Sequence, residues 1–318
     1  MPPELPASPV SPVTTWPEPR ALQEHEWPAL RAAVNEIFRP GQDEGDLTDE
    51  CPLLFDPSNR DNLRAIVDDG AGATGAAGAQ VLAHAGFVIR EALVLRRRVR
   101  IACIGAVFTR PAWRGRGLGS RVLSDALRRA RQGADLVMAS GDRGLYRRQG
   151  LDSVPPLARF TLPAAGAAPS GLDVRAATKA DLQTMATLYD AEDVHFIRPS
   201  GDWDRLWDAG RLVDAPGVFS VVLRGGVIVG YIAAQRGGRR ANGSLRPRRI
   251  LEIAGERAAI VDVAASVADE LLLPVYDTAA IAACERKGWI RTARQFLITA
   301  EALTIDVRVI PWYGLNYI

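Results

Sequence analysis

The sequence predicts an α+β protein of mixed α/β sheets, built as two tandem copies of one fold, the second copy degenerate. Three observations carry this reading. The 318 residues exceed a single domain of about 100 to 200 residues. A strand, a Gly/Arg turn, an amphipathic helix and another strand follow one another between residues 101 and 139. The segment Leu145-Tyr146-Arg147-Arg148-Gln149-Gly150-Leu151, followed by Arg159-Phe160, is echoed by Ala283-Cys284-Glu285-Arg286-Lys287-Gly288-Trp289, followed by Gln295-Phe296.

Taken in order, residues 1–20, with prolines at 2, 3, 6, 9, 12, 17 and 19, read as a flexible tail without the apolar run of a signal peptide. Leu22, Trp27, Leu30, Val34, Ile37 and Phe38 approximate one face of a helix over 21–39, which Pro40-Gly41 ends. The acidic stretch Asp43 to Glu50 reads as a loop. Short apolar runs at Leu63–Val67, Gln80–Val88 and Ile101–Phe108 read as strands, with a Gly/Ala turn from Gly70 to Gly78. Leu118, Val122, Leu123, Ala126, Leu127 and Ala130 fall at helical spacing, and Ala134–Ala139 returns to a strand. The first domain therefore spans 21–162 and an Ala/Gly/Pro linker 163–170. The second spans 171–300: strand Leu172–Arg175, helix Lys179–Asp190, strands Val218–Arg224, Val227–Gln235 and Ile250–Ile253, helix Arg257–Glu270. Residues 301–318 form a C-terminal segment that is aromatic to its end.

Composition excludes several classes. With 47% hydrophobic and 24% charged residues the chain is not of the disordered kind. Its most apolar stretch is broken by Asp262, Asp269 and Glu270, so no membrane-spanning helix is expected. Cys51, Cys103 and Cys284 are odd in number and lack metal or redox spacing, which fits a reducing, cytoplasmic compartment and no metal. Of 39 basic residues only Lys179 and Lys287 are lysine, and residues 90–131 hold twelve arginines against Glu91 and Asp125. That segment should attract an anion, most simply a phosphate. No nucleic-acid partner is expected, because these arginines spread over strand, loop and helix.

The phosphate site is legible in Arg114-Gly115-Arg116-Gly117-Leu118-Gly119-Ser120. A helix N-terminus leaves N–H groups unpaired, and glycines ahead of it let the backbone wrap an anion while Arg114 and Arg116 add charge. A P-loop would need Gly-Lys-Ser/Thr, and a dinucleotide fingerprint would need G-x-G-x-x-G; neither is present. The segment resembles instead the acyl-CoA signature R/Q-x-x-G-x-G/A of the GNAT superfamily of N-acetyltransferases. Val107-Phe108-Thr109-Arg110-Pro111 before it, and Ser140 to Gly150 with its Tyr146, are similar to that family as well. The tandem layout is distantly similar to the enhanced-intracellular-survival group of acetyltransferases, without a third domain.

The resemblance implies an acetyl-CoA-dependent N-acetyltransferase acting on a primary amine of a small-molecule or peptide acceptor. Val107 and Thr109 would pair with the pantetheine arm of coenzyme A. The backbone of Arg114, Gly115, Arg116, Gly117, Leu118, Gly119 and Ser120 would hold its pyrophosphate, and an N–H near Val107 would polarise the thioester. Tyr146 would be the general acid for the thiolate. The strand carboxylate that many family members use as a base is missing between Val99 and Val107. His84, Glu91 and Asp142 are substitutes without a choice among them, and Ile318 or Tyr313 would reach the acceptor site only if the C-terminal segment docks there. The second copy, with Glu252-Ile253-Ala254-Gly255-Glu256-Arg257 at its turn and Cys284 in the place of Tyr146, is expected to bind no cofactor. His195, Phe196 and Arg198 read as a packing loop. A non-catalytic acyl-CoA sensor on the same fold is the alternative. Oligomeric state stays open, a homo-oligomer or the pseudo-dimer of a single chain.

Overall fold

The computed structural model describes residues 16–40, 45–68, 78–141, 144–164, 170–213, 215–239, 245–295, 298–305, 309–311 and 315. The first half runs β1 (Arg20–Ala21), α1 (Trp27–Phe38), α2 (Leu47–Glu50), β2 (Leu63–Asp68), β3 (Gln80–Val94), β4 (Arg97–Thr109), α3 (Leu118–Gly133), β5 (Leu136–Ser140), α4 (Gly144–Arg147), β6 (Asp152–Ser153) and β7 (Leu157–Thr161). The second runs β8 (Leu172–Ala176), α5 (Leu182–Asp190), β9 (Val194–Phe196), α6 (Ser200–Ala209), β10 (Arg211–Leu212), β11 (Ala215–Arg224), β12 (Val227–Gln235), β13 (Gly238–Arg239), β14 (Leu245–Arg246), β15 (Arg249–Gly255), α7 (Arg257–Val267), β16 (Glu270–Leu273), α8 (Thr278–Arg286), β17 (Arg291–Arg294) and β18 (Ile298–Ala302).

Several elements differ from expectation. Residues 47–50 of the acidic stretch form a helical turn, capped by the Asp46 carboxylate on the Thr48 N–H. The first helix begins at Trp27 rather than at 21, where Arg20 and Ala21 pair with β2. The arginine-rich stretch 89–100 is a hairpin: β3 and β4 run on to a two-residue turn at Leu95 and Arg96, with φ of +49° and +69°. Neither residue is the Asn or Gly that announces such a turn. The helix expected to reach Glu270 stops at Val267, and Glu270 opens the buried strand β16, paired with β15. Of the Gly/Ala turn read from Gly70 to Gly78, residues 70–77 lie outside the described residues.

Each half builds a mixed sheet around one parallel pair, β4 with β5 and β15 with β16. The sheets are not closed within their own halves. β18, late in the chain, lies between β5 and β6 of the first sheet, while β7 lies between β16 and β17 of the second. β9 also crosses, pairing with β3. The duplication is visible bond for bond: the Asp135 carboxylate accepts from the Arg100 N–H and its carbonyl from the Leu303 N–H, as Asp269 accepts from Arg248 and Leu162. Leu151 donates to the Tyr146 carbonyl as Trp289 does to that of Cys284, both at 3.2 Å.

The first sheet is covered on both faces. Ile101 and Cys103 of β4 face Leu30 and Val34 of α1 and Phe55 beyond it, whereas Ala102 and Ile104 face the six buried residues of α3. Each fully buried Leu or Val contributes about 1.5–3 kcal/mol, which seats α3 and so fixes where its N-terminus points.

Candidate active site

β4 and β5 pair in parallel from Ile101↔Leu136 to Ile104↔Ala139 and then separate. Beyond that point β4 carries an extra residue. His84↔Phe108 and Gly86↔Gly105 leave Ala106 and Val107 opposite Ala85 alone, and Ala106 takes φ of +50°. The bulge reverses the alternation of the strand. Strict alternation from Ile101 and Cys103 would turn Val107 toward α1; instead it joins the cluster of Leu118 and Tyr146 on the α3 side. Val107, Leu118 and Tyr146 are thus brought together at the mouth of the split between the two strands.

The phosphate turn follows. Gly115 and Gly117 both have φ of +79°, a conformation that favours glycine, and a Cβ at either would meet nothing within 4 Å, so the space before them is open. Gly117 caps the 16-residue helix α3, leaving the first N–H groups of Leu118, Gly119 and Ser120 to the turn. Gly119 is required for another reason, because a Cβ there would come within 2.8 Å of the Thr109 hydroxyl. Around it Arg110, Arg121, Arg128 and Arg131 are paired with Glu36, Glu18, Asp125 and Glu301. Neither Arg114 nor Arg116 pairs with a carboxylate among the described residues, and both are exposed, so the turn keeps its positive charge. Arg116 lies over the rings of Trp113 and Trp16, at 4.9 and 5.5 Å, and those two rings meet edge to face at 5.0 Å. Trp16 went unnoticed in the sequence because it stands in the Pro-rich tail.

Tyr146 is buried on α4, its ring against Gly141, where a Cβ would approach within 2.7 Å. The candidate bases fare differently. His84 is fully buried, stacked between Phe55 and Phe108, and burial pushes its imidazole down to about 4. Glu91 lies on the far stretch of β3, exposed and paired with Arg98 at 2.9 Å. Asp142, Tyr313 and Ile318 lie outside the described residues. Leu315 is buried in the second half's core and its N–H donates to the Glu252 carboxylate at 2.9 Å.

The second split, where β15 leaves β16, opens into a cavity of about 480 Å³ lined by Leu251, Gly255, Arg257, Leu273, Tyr276 and Asp277, among others. Counting from the paired Arg100 and Arg248, Gly255 stands where Val107 stands in the first half. Here the Gly255 N–H donates to Glu192 at 3.1 Å, and Arg257 at the start of α7 is paired with both Glu192 and Asp277. Glu192 thus bridges the Gly255 N–H and the Arg257 guanidinium. Cys284 is a buried thiol that burial raises to about 12, so it stays protonated at neutral pH. Of the residues read as a packing loop, His195 and Phe196 instead lie in strand β9 against β3, and Arg198 just beyond is held bidentately by Glu252 at 2.7 and 2.9 Å and covered by Tyr189 and Trp203. No cluster of three metal-ligating side chains occurs among the described residues. No described helix is long and apolar enough to cross a membrane.

Residues 27–151 match the family model of the GNAT acetyltransferases. No curated protein matches by sequence. Among solved structures the chain is similar to a GCN5-related N-acetyltransferase from Anabaena variabilis, with TM-score 0.62 and 16% identity over 90% of this chain and 72% of that one. It is similar to a GCN5-related N-acetyltransferase from Kribbella flavida, with TM-score 0.60 and 17% identity over 91% and 72%. Eis1 from Mycobacterium abscessus gives TM-score 0.56 and 15% identity over 90% and 74%. At these identities the structures share the fold.

Proposed function

Given that residues 27–151 form a GNAT acetyltransferase domain, we propose that the chain transfers an acetyl group from acetyl-CoA directly to a primary amine, at one site in its first half. The observation that carries this is the split between β4 and β5 opening onto a glycine turn whose two arginines lack carboxylate partners among the described residues. Acetyl-CoA supplies an activated acyl group on a thiol that leaves readily. The edges of Val107 and Thr109 hold the pantetheine arm, and Arg114 through Ser120 cradle the pyrophosphate. The Val107 N–H stabilises charge as it develops on the thioester oxygen while the amine nitrogen bonds to the acyl carbon. The carbon–sulfur bond then breaks, and the Tyr146 hydroxyl gives its proton to the departing sulfur. The amine's proton goes to water, since β4 carries no carboxylate at the split, and water returns a proton to the Tyr146 phenolate.

The second half is a support, because Glu192 stands on the Gly255 N–H where the first half offers its donor. The test is release of coenzyme A thiol from acetyl-CoA against a panel of polyamines, aminoglycosides and peptides. Turnover with any one of them, abolished in Gly117→Glu, supports the transferase. Tight acetyl-CoA binding with no turnover against every class supports the sensor reading instead.

A further inference from the structure

We propose that His84 is a positioning residue of the transfer reaction: its Nδ1–H holds the Ala106 carbonyl and thereby aims the Val107 N–H into the split between β4 and β5. This deepens the acetyl-CoA reading and rests on it. Ala106 is a half-buried non-glycine residue at φ of +50°, near the C-terminal end of β4. Such a conformation is strained and persists only where its surroundings hold it. His84 Nδ1 lies 2.8 Å from that carbonyl. Because carbonyl and N–H point in opposite directions across a trans peptide, a carbonyl drawn toward β3 turns the next N–H, that of Val107, away from β3. That is the side from which β5 has departed.

The imidazole is an expensive choice for this place, which argues against mere filling. Its Nε2 is buried with no hydrogen-bond partner, a desolvation loss that an apolar ring would avoid. Phe55 and Phe108 stack on its two faces, and Leu54 and Leu63 close around Gly86 beside it. It therefore cannot meet water or an amine, and its depressed basicity leaves it the neutral Nδ1–H donor at working pH. What His84 offers that a phenyl ring does not is the one bond to Ala106.

The experiment compares the full chain with His84→Phe, which keeps the stack and loses the bond, and with His84→Asn, whose amide nitrogen stands at the same remove from Cβ as Nδ1. Two quantities are read: the carbonyl band of bound acetyl-CoA labelled with carbon-13 at the thioester, by difference infrared, and the affinities for acetyl-CoA and for coenzyme A by calorimetry. In the unaltered chain the band is displaced to lower frequency than in free acetyl-CoA. In His84→Phe it returns toward the free position and acetyl-CoA weakens about two- to tenfold, while coenzyme A, which lacks the thioester carbonyl, binds as before. His84→Asn restores the displacement. An undisplaced change, the same band and the same affinity ratio in His84→Phe as in the unaltered chain, overturns the proposal. If the unaltered chain binds no acetyl-CoA, the cofactor reading itself fails and the proposal falls with it.

Discussion

Tyr146 shares its buried cluster with Val107 and Leu118, and the proposed reaction makes its hydroxyl the acid for the departing thiolate. Tyr146→Phe is expected to lower kcat about 100-fold while leaving acetyl-CoA affinity within a factor of about two, as loss of a general acid would. A fall in affinity with unchanged kcat would make it a packing residue. Trp16 holds Arg116 against Trp113, and Trp16→Ala should weaken acetyl-CoA by about two- to tenfold. The same change should leave acetylation from a short acetyl thioester lacking the nucleotide untouched. His84 gives a pH signature of its own. Its folded value, about 4, lies below the ordinary 6.5, so as pH falls through that interval the unfolded chain takes up the proton first and stability is lost. The loss attributable to His84 is about 2 kcal/mol by about pH 5, and it should vanish from the denaturation curve of His84→Phe. Of these residues the glycine turn could be read from its own chemistry, and Tyr146 only through the family resemblance of its segment. Trp16 and the role of His84 could not, since one acts through a ring far along the chain and the other through a backbone bulge that leaves no mark on composition.

Among the elements, α3 and the strands flanking it followed from apolar periodicity because packing on one face is a local pattern. The β3–β4 hairpin did not, since Arg96, Arg97 and Arg98 look like loop and the strands persist through exposed positions. β15 holds the sharpest structural prediction. Burial alone would raise the Glu252 carboxyl, but the Arg198 guanidinium and the Tyr231 hydroxyl at 2.7 Å hold it below the ordinary carboxylate range. Glu252→Ala strands the Arg198 charge in the core and should destabilise the chain by about 3–5 kcal/mol in urea unfolding. A change under about 1 kcal/mol would mean that water reaches the pair. The same substitution frees the Leu315 N–H, so the C-terminal segment should become more open to proteolysis together with the loss of stability.

For the molecule as a whole, the duplication was legible in the Tyr146 and Cys284 segments, whereas the reciprocal exchange of β7 and β18 was not. Local alternation identifies a strand without naming its partner, and both exchanged strands find theirs across the whole chain. Each sheet contains a strand from the other half, so thermal unfolding is expected as a single transition, with fluorescence and far-ultraviolet dichroism superimposed; two separated transitions would show the halves to be independent. Each half holds a split between its parallel strands, and among the described residues a carboxylate sits on the backbone donor of the second, where Glu192 accepts from Gly255. Titration of the full chain with acetyl-CoA by calorimetry tests this most directly. One molecule per chain is predicted, lost in a variant carrying Arg114→Ala and Gly117→Glu and retained in Arg257→Ala. Two molecules per chain, or binding that survives the first variant, would contradict it.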